Sequence, residues 1–263
     1  IVGAGSAGCV LASRLSGDPR TRVLLLEAGP GWRHPWSDMP RGWVMLTGHR
    51  ERAWTFPVEH EEGRPARETW ARGRGLGGSS AINGMIYCRG AAQDYESWKD
   101  FGVEGWGAAE FDRAFAAIEK RPGGEGGFIE TSVRPLPEPL RSAVMEAGAG
   151  MGLARRELIF GGGEAAVGPY SHSVDRRGRR ASAARAFLDP VRRCPNLAVE
   201  AGARATRILF EGRRAVGVEW ERGGRRSIAR AGEVIVACGA LHSPQLLQVS
   251  GIGPGHVLGA AGV

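Results

Sequence analysis

Short apolar runs and a glycine-rich turn alternate over the first thirty residues. Ile1-Val2 has the pattern of the end of a buried strand, and a tight turn follows at 3–8. Apolar positions at helical spacing predict a helix over 7–16, and the apolar run 22–27 predicts a second buried strand that ends in an acid. Strand, turn, helix and strand in this order begin a doubly wound parallel sheet, so we expect an α/β fold of the Rossmann type.

The middle of the chain loses this periodicity. Between residues 29 and 72, Trp, Pro, Gly and His recur without a repeat, which predicts a long irregular excursion that covers a ligand. Amphipathic spacing returns at 108–119 and at 140–151, and both segments predict helices.

The last third has the pattern of an antiparallel meander. Glycine turns separate short apolar runs that predict four strands, at 198–200, 203–210, 215–220 and 226–229. An apolar strand at 233–237 is expected to return to the parallel sheet. Ser243-Pro244 then predicts the start of a helix, because Ser is a favoured N-cap and Pro a favoured first helical residue.

Composition and charge narrow the class of protein. The chain has 263 residues, of which 42% are hydrophobic, so it can bury a real core. No apolar run approaches the roughly 20 residues of a membrane span. The net charge of +7 comes from Arg residues that are spread along the chain without an aromatic–basic stripe, so we expect no nucleic-acid partner.

The spacing of the cysteines argues against a metal site and against disulfides. Cys9, Cys88, Cys194 and Cys238 are far apart and form no C-x-x-C pair, which argues against a zinc site and a disulfide framework. Their apolar or glycine-rich neighbours predict buried thiols in a reducing compartment. We therefore expect a cytoplasmic protein.

The first glycine run has the spacing of a dinucleotide-binding turn. Gly3 allows the tight turn, Gly5 lets a diphosphate approach the backbone, and Gly8 lets helix and strand pack closely. The helix N-terminus at Ser6-Ala7 supplies N–H groups and the positive end of the helix dipole. Glu27, at the end of the next strand, would accept hydrogen bonds from ribose hydroxyls. This turn alone does not separate FAD from NAD.

Two further runs carry candidate chemistry. Residues 72–85 expose many backbone N–H groups, which predicts either an anion-binding nest or a structural glycine loop. Residues 239–253 follow the returning strand and open a helix at the carboxyl edge of the sheet, where open α/β sheets bind ligands. His242 in this run is a possible acid–base group, but we favour a structural role for it.

The three runs together resemble the glucose–methanol–choline (GMC) oxidoreductases over essentially the whole chain. Residues 72–85 resemble the first signature of that family and 239–253 the second, while Gly105-Trp106 and 181–190 also resemble it. The resemblance implies that the cofactor is FAD. The residues that it places against FAD are Gly3, Gly5, Ser6, Ala7, Gly8, Glu27, Arg72, Leu76, Gly77, Gly78, Ser79, Ser80, Asn83, Gly84, Met85, Ala205 and Gly239.

Roles follow from the same resemblance. The turn and Glu27 would hold the ADP part, residues 76–85 would lie along the diphosphate and the flavin ring, and Ala205 would touch the adenine where Val is commoner. Ile82 stands where some members carry a histidine bonded to the flavin, so the FAD is expected to be noncovalent.

The resemblance also implies a division of the chain. We expect an FAD-binding domain in two parts, 1–122 and 176–263, with a partial substrate-domain segment at 123–175. Family members are roughly twice as long, and their catalytic histidine lies in the carboxyl half. None of the six histidines here matches it, so we expect no catalytic residue in this chain.

The expected activity is oxidation of a small-molecule primary or secondary alcohol to an aldehyde or ketone, by hydride transfer to the flavin. The alternatives are a non-catalytic or degenerate flavin- or nucleotide-binding fragment, and an NAD-linked enzyme, for which the second and third runs would have to be coincidence. The sequence leaves open the alcohol, the electron acceptor and the oligomeric state.

Overall fold

The structure of the chain is a computed structural model that describes residues 1–31, 34–59, 68–120, 126–133, 138–159 and 165–263. It divides into two units. The first comprises Ile1–Asn83 and Ser182–Val263, and the second, Gly84–Ala181, is inserted between these two parts of the sequence. The expected boundaries of the FAD-binding and substrate domains stay a prediction.

The helices are α1 (Ser6–Leu15), α2 (Pro35–Asp38), α3 (Trp43–Leu46), α4 (Ala92–Glu96), α5 (Ala108–Ile118), α6 (Glu138–Gly150), α7 (Asp189–Val191), α8 (Gly239–Val249) and α9 (Gly255–Ala260). The strands are β1 (Val23–Glu27), β2 (Ala53–Pro57), β3 (Thr69–Gly73), β4 (Ile86–Tyr87), β5 (Glu119–Lys120), β6 (Ile129–Glu130), β7 (Ser132–Val133), β8 (Ala154–Arg155), β9 (Ala166–Val167), β10 (Ser171–His172), β11 (Leu197–Ala201), β12 (Arg204–Glu211), β13 (Arg214–Arg222) and β14 (Arg225–Arg230). Short 3-10 segments lie at Pro40–Gly42, Gly78–Ala81 and Ser97–Phe101, and a π-helical turn lies at Ala184–Leu188.

A parallel sheet forms the centre of the first unit. Val2 bridges Leu26 of β1 on one side and Val236 on the other, and β1 pairs in parallel with β11. The predicted start of a doubly wound α/β fold is therefore confirmed. The expected strand at 233–237 is reduced to the Val236 bridge, because its hydrogen bonds to this sheet are confined to the residues around Val2.

The antiparallel meander has three strands rather than the four we expected. β12, β13 and β14 pair in that order, whereas β11 belongs to the parallel sheet. The reason is the continuation of the ladder beyond β11: the N–H groups of Gly202 and Ala203 donate to the carbonyl oxygens of Gly29 and Glu27 at 2.8 Å each. Only after Ala203 does the chain turn away into the meander.

Helix α8 begins earlier in the chain than the Ser243-Pro244 pair predicts. It begins at Gly239, and Pro244 lies inside it. Ser243 does not act as the N-cap, because its Oγ accepts a hydrogen bond from the N–H of Cys238, the residue just before the helix, at 3.1 Å. α8 packs on the meander and the parallel sheet through Leu246, which joins Val2, Leu26, Ala203, Ile208 and Val218 in one buried core cluster.

The excursion at 29–72 is more ordered than we expected. It contains the two single-turn helices α2 and α3, followed by the hairpin β2–β3, in which Ala53 pairs with Gly73 and Pro57 with Thr69. Helices of four residues are shorter than the window in which a period of 3.6 can be recognised. The hairpin strands were missed because eleven residues separate them along the chain, part of which (60–67) lies outside the described residues.

The second unit contains small sheets and two longer helices. β10 pairs antiparallel with β4 and β7, and the helices predicted at 108–119 and 140–151 are confirmed as α5 and α6. Among the residues that the structure describes, no helix is long and apolar enough to cross a bilayer.

Candidate cofactor site

The first glycine run forms a turn in which two positions exclude any side chain. Gly3 has φ of +95°, and a Cβ there would lie 2.5 Å from the carbonyl oxygen of Ala237. A Cβ on Gly8 would lie 1.9 Å from the carbonyl oxygen of Gly3, so α1 packs directly on the turn. Gly5 differs from both, because the nearest atom to its Cβ position is the Ala237 oxygen at 3.9 Å. Its face is therefore open to a ligand.

The N-terminus of α1 lies at this open face. Gly5 is the N-cap residue and provides no side-chain cap, and the first turn carries no acidic residue. The N–H groups of Ser6 and Ala7 are thus left for a ligand, and the positive end of the ten-residue helix favours an anion.

Glu27 connects three separate segments of backbone. Its Oε2 accepts a hydrogen bond from the N–H of Ala4 at 2.8 Å, and its Oε1 accepts from Gly29 at 2.8 Å and from Gly75 at 2.9 Å. The residue is buried at the end of β1. A carboxylate offers about four acceptor sites, so one remains for a further donor such as a ribose hydroxyl. Sequence reasoning assigned Glu27 to ribose alone and missed this backbone clamp.

The second glycine run is folded against the first. The N–H of Gly77 donates to the carbonyl oxygen of Ala4 at 2.8 Å. A Cβ on Gly78, where φ is +52°, would lie 2.8 Å from the Cα of Gly5. These close approaches explain the need for glycine here, and they bring residues some seventy positions apart in sequence to one site.

Two serines fix the second run in place. The Oγ of Ser79 accepts from the N–H of Gly73 at 3.0 Å, which closes the run on itself. The Oγ of Ser80 accepts from the N–H of Ala183 at 2.9 Å, just before the π-helical turn.

A cavity of about 830 Å³ lies where these segments meet, entirely within the first unit. Its size is in the range of cofactor clefts in proteins. The expected cofactor residues that line it are Gly3, Gly5, Ser6, Ala7, Glu27, Arg72, Gly78, Ser79, Ala205 and Gly239.

The other expected residues lie elsewhere. Gly8 and Gly77 pack behind the cavity wall, Ser80 is bonded to Ala183, and Leu76 lines a second, small pocket. Asn83 ends the first part of the first unit, beyond the 3-10 segment.

Gly84 and Met85 belong to the second unit. Met85 has φ of +64°, a left-handed conformation that is rare for a long side chain. Within that unit the N–H of Ser173 donates to its carbonyl oxygen at 2.9 Å and holds the strained backbone.

Sequence reasoning assigned no role to Trp54 and Phe56 of β2, and it favoured a structural role for His242 of α8. All three residues line one side of the cavity. The alternation of Trp54 and Phe56 along the chain was the available signal. Burial lowers the pKa of His242, and the negative charge of Glu27 raises it by a smaller amount. The pKa therefore lies below its ordinary value, and the imidazole is neutral at neutral pH.

The thiols are less uniformly buried than we expected. Cys9 is buried and Cys194 and Cys238 are partly buried, but Cys88 is exposed. Exposure alternates along the segment of β4, so residues 86, 88 and 90 face solvent. Cys238 lines the cavity, and burial raises its pKa to about 11. In the described part of the chain no group of His, Cys, Asp and Glu side chains is arranged to hold a metal ion.

Comparison with known proteins decides the family. The family pattern described as GMC oxidoreductase matches residues 1–261. The chain belongs to the GMC oxidoreductase family. An oxygen-dependent choline dehydrogenase from Burkholderia multivorans is 44% identical over 269 aligned residues, which cover 97% of this chain and 47% of that protein.

Solved structures of GMC relatives have the same fold. Pyridoxine 4-oxidase from Mesorbium loti superposes with a TM-score of 0.93 at 40% identity, covering 100% of this chain and 53% of that one. An FAD-dependent oxidoreductase from Chaetomium thermophilum gives 0.87 at 28% identity, covering 100% and 49%. The chain thus spans about half the length of the GMC proteins it matches.

The cavity fits the FAD of this family. Gly5 and Gly239 leave space where a Cβ would intrude, since no heavy atom lies within 3.9 Å of the first position or within 4 Å of the second. The α1 N-terminus offers N–H donors for a diphosphate, and the buried carboxylate of Glu27 retains one acceptor site for a ribose hydroxyl.

Proposed function

We propose that this chain binds FAD noncovalently and forms the flavin-binding half of an oxidoreductase that converts a primary or secondary alcohol to an aldehyde or ketone. The observation that carries the proposal is the convergence of all three glycine-containing runs on one cavity, through Gly5, Ser79 and Gly239. A dinucleotide-binding turn alone would serve NAD equally well, whereas the GMC family uses FAD.

The residues that would hold the ADP part follow from their positions. The N–H groups of Ser6 and Ala7 would bind the diphosphate, with Arg72 adding a positive charge at the cavity wall. The remaining acceptor site of Glu27 would take a ribose hydroxyl, and Ala205 would touch the adenine.

Gly3 and Gly8 belong to the turn that would hold the ADP part. We propose that the second run lies along the diphosphate and the flavin ring, and we assign this role to Leu76, Gly77, Gly78, Ser79, Ser80 and Asn83, with Gly239 from the third run. The assignment of Gly84 and Met85, which belong to the second unit, stays a prediction. Several of the assigned residues, Gly8 and Gly77 among them, would act by packing the backbone closely rather than by touching the cofactor.

The identity and surroundings of Ile82 support the proposal of a noncovalent cofactor. Its side chain cannot form a bond to a flavin, and it packs in a buried cluster with Leu46 and Ala53. Replacing it by an attaching group would therefore disturb that cluster.

The chemistry that FAD supplies when bound is acceptance of the hydride from the carbinol carbon. The residues of this chain bind and orient the cofactor. We assign no catalytic base to residues 1–263 and expect the histidine that takes the hydroxyl proton in the part of the relatives that this chain does not match.

The names of two relatives, a choline dehydrogenase and a pyridoxine 4-oxidase, support a small-molecule alcohol as substrate. We further propose a cytoplasmic location, in keeping with the absence of a disulfide among the four cysteines.

A substitution that fills the free space beside Gly5 tests the binding site. The backbone at Gly5 is extended (φ −74°, ψ −161°), which any residue adopts, and its Cβ position is free. Gly5→Val should therefore fold normally but weaken FAD binding at least about tenfold, which is about 1.4 kcal/mol. Titration of flavin fluorescence against the purified chain measures this.

Gly48→Val is the matched control. Gly48 is exposed and a Cβ there would meet no atom within 4 Å, so its affinity for FAD should equal that of the wild type. Equal affinities of Gly5→Val and Gly48→Val would contradict the proposed site.

A further inference from the structure

Two histidines lie side by side between the first parallel strand and the β2–β3 hairpin, and we call them the histidine pair (His34 and His49). Their ring centroids are 5.3 Å apart, with an interplanar angle of 62°. Trp36 packs against both rings, with centroid distances of 4.8 Å to His34 and 6.4 Å to His49. Both histidines are partly buried, and both lie outside the set of residues that line the cofactor cavity.

Each imidazole of the pair accepts a hydrogen bond from the backbone through its Nδ1 atom. The N–H of Trp36 donates to Nδ1 of His34 at 3.2 Å, so that His34 caps the N-terminus of α2. The N–H of Glu51 donates to Nδ1 of His49 at 3.3 Å, in the turn between α3 and β2. Only a neutral imidazole can accept in this way, because both nitrogens of the charged ring are donors. Protonation of either ring therefore removes a hydrogen bond and places two N–H groups face to face.

The charges around the pair oppose its protonation. Partial burial, the guanidinium of Arg52 and the neighbouring His49 lower the pKa of His34, and the carboxylate of Glu51 raises it by a smaller amount. The charged residues on the elements that surround the pair are Asp38 of α2, Arg50 and Glu51 of the turn, Arg52 just before β2, and Arg185 of the π-helical turn. Arginines outnumber acids in this set, so each further positive charge is unfavourable.

The pair is connected to the second glycine run by apolar packing. Trp36, which lies between the pair and the core, packs on the buried cluster of Leu46, Ala53 and Ile82. Ile82 directly follows the 3-10 segment Gly78–Ala81 of that run. A change in the position of Trp36 would therefore act on the backbone that we assign to the cofactor.

α2 is connected to the same run a second time, through an ion pair. Oδ1 of Asp38, at the end of α2, lies 2.7 Å from the guanidinium of Arg185 in the π-helical turn. The N–H of Ala183, just before that turn, donates to the Oγ of Ser80 at 2.9 Å. Loss of the cap on α2 would thus loosen both connections to the second glycine run.

We propose that the histidine pair is a pH-sensitive switch, which holds α2 against the second glycine run when both rings are neutral and releases it on acidification. The stabilisation that neutral His34 provides is complete above the ordinary histidine pKa of about 6.5 and is lost as the pH falls through the lowered pKa of the folded protein. The inference rests on the proposed function in one respect, since it takes FAD as the ligand whose affinity falls with the pH.

The test replaces each histidine by asparagine, separately and together. In His34→Asn and His49→Asn, the side-chain oxygen can take the place of Nδ1 as acceptor, and asparagine is a favoured N-cap residue that gains no charge in acid. Titration of flavin fluorescence measures the affinity for FAD between about pH 8 and pH 5. The wild type should lose affinity at least about fivefold over this range, which corresponds to the loss of one helix cap. The double variant should bind FAD as the wild type does at pH 8 and keep that affinity at pH 5.

His256→Asn is the matched control. His256 is an exposed histidine of α9, so this variant should follow the wild-type profile at every pH. Urea unfolding of the cofactor-free proteins is the second measurement, in which the wild type should lose more stability on acidification than the double variant. If the double variant does not fold, the two single variants decide, and each should show a smaller loss of affinity and stability than the wild type.

The outcomes separate this inference from the proposed function. Wild-type protein that binds FAD at pH 8, together with parallel pH profiles of the wild type and the asparagine variants, would overturn the switch alone. A wild type that does not bind FAD at pH 8 would overturn the proposed function, and the unfolding of the cofactor-free proteins would then decide the switch. Equal losses of stability in acid for the wild type and the double variant would overturn it there as well.

Discussion

Replacing Glu27 with glutamine should destabilise the cofactor-free protein, because Glu27 connects the two glycine runs before any ligand binds. The carboxylate accepts three backbone hydrogen bonds of 2.8 to 2.9 Å, two on Oε1 and one on Oε2. Glutamine has one acceptor oxygen and one donor amide group. In either orientation at least one backbone N–H faces that amide group and loses its acceptor.

The better orientation keeps the oxygen toward Gly29 and Gly75 and leaves the N–H of Ala4 without an acceptor. A buried donor left unsatisfied costs about 1–3 kcal/mol, and the two retained bonds lose the strength that comes from the negative charge. The variant should thus lose about 2–4 kcal/mol of unfolding free energy, which lowers Tm by about 4–16 °C for a protein of this size.

The assay is urea and thermal unfolding of the cofactor-free protein, followed by circular dichroism. Glu211→Gln is the control, because Glu211 is exposed and forms a surface ion pair with Arg230 at 2.8 Å. Its effect should stay within about 0.5 kcal/mol. If Glu27→Gln were as stable as the wild type without FAD and weaker only in FAD binding, Glu27 would act through the ribose alone and the clamp would be refuted.

Two further predictions concern packing and pH. Gly8→Ala places a methyl group 1.9 Å from the carbonyl oxygen of Gly3 and should cost at least about 2 kcal/mol of unfolding free energy, whereas Gly48→Ala should cost little; equal stability of the two variants in urea would contradict the close packing of α1. Burial raises the pKa of Cys238 from 9.0 to about 11, so the stability that the neutral thiol contributes is intact below pH 9 and falls as the pH rises toward 11. Cys238→Ala should lose less stability than the wild type between pH 8 and 10.5, and identical losses would show that this thiol is not involved.

Local patterns were enough to predict the elements that depend on neighbouring residues. α1, β1, α5 and the strands β12 to β14 follow from apolar periodicity and glycine turns, which act over a few residues. β11 was assigned to the wrong sheet because the choice of a pairing partner depends on β1, some 170 residues away. α8 was started too late because Ser243 bonds back to Cys238 instead of capping the helix.

Prediction of the candidate site from the sequence was likewise limited to features that depend on neighbouring residues. The steric needs of Gly3 and Gly8 are contained in the turn itself, so their spacing alone predicts the turn. The clamp at Glu27 could not be predicted, because its donors are backbone groups that only the folded chain brings together. The contact between the rings of Trp54 and His242 likewise requires β2 and α8 to meet, and nothing near Trp54 in the sequence indicates His242.

The most direct test of the account is the visible absorbance spectrum of the purified chain after incubation with FAD and removal of the excess, recorded before and after denaturation. We predict a flavin band that stays with the folded protein and passes into the filtrate once the protein is denatured, because the cofactor is bound without a covalent bond. A chain that remains colourless after incubation with FAD would contradict the proposed site. A flavin band that stays with the denatured polypeptide would contradict noncovalent binding.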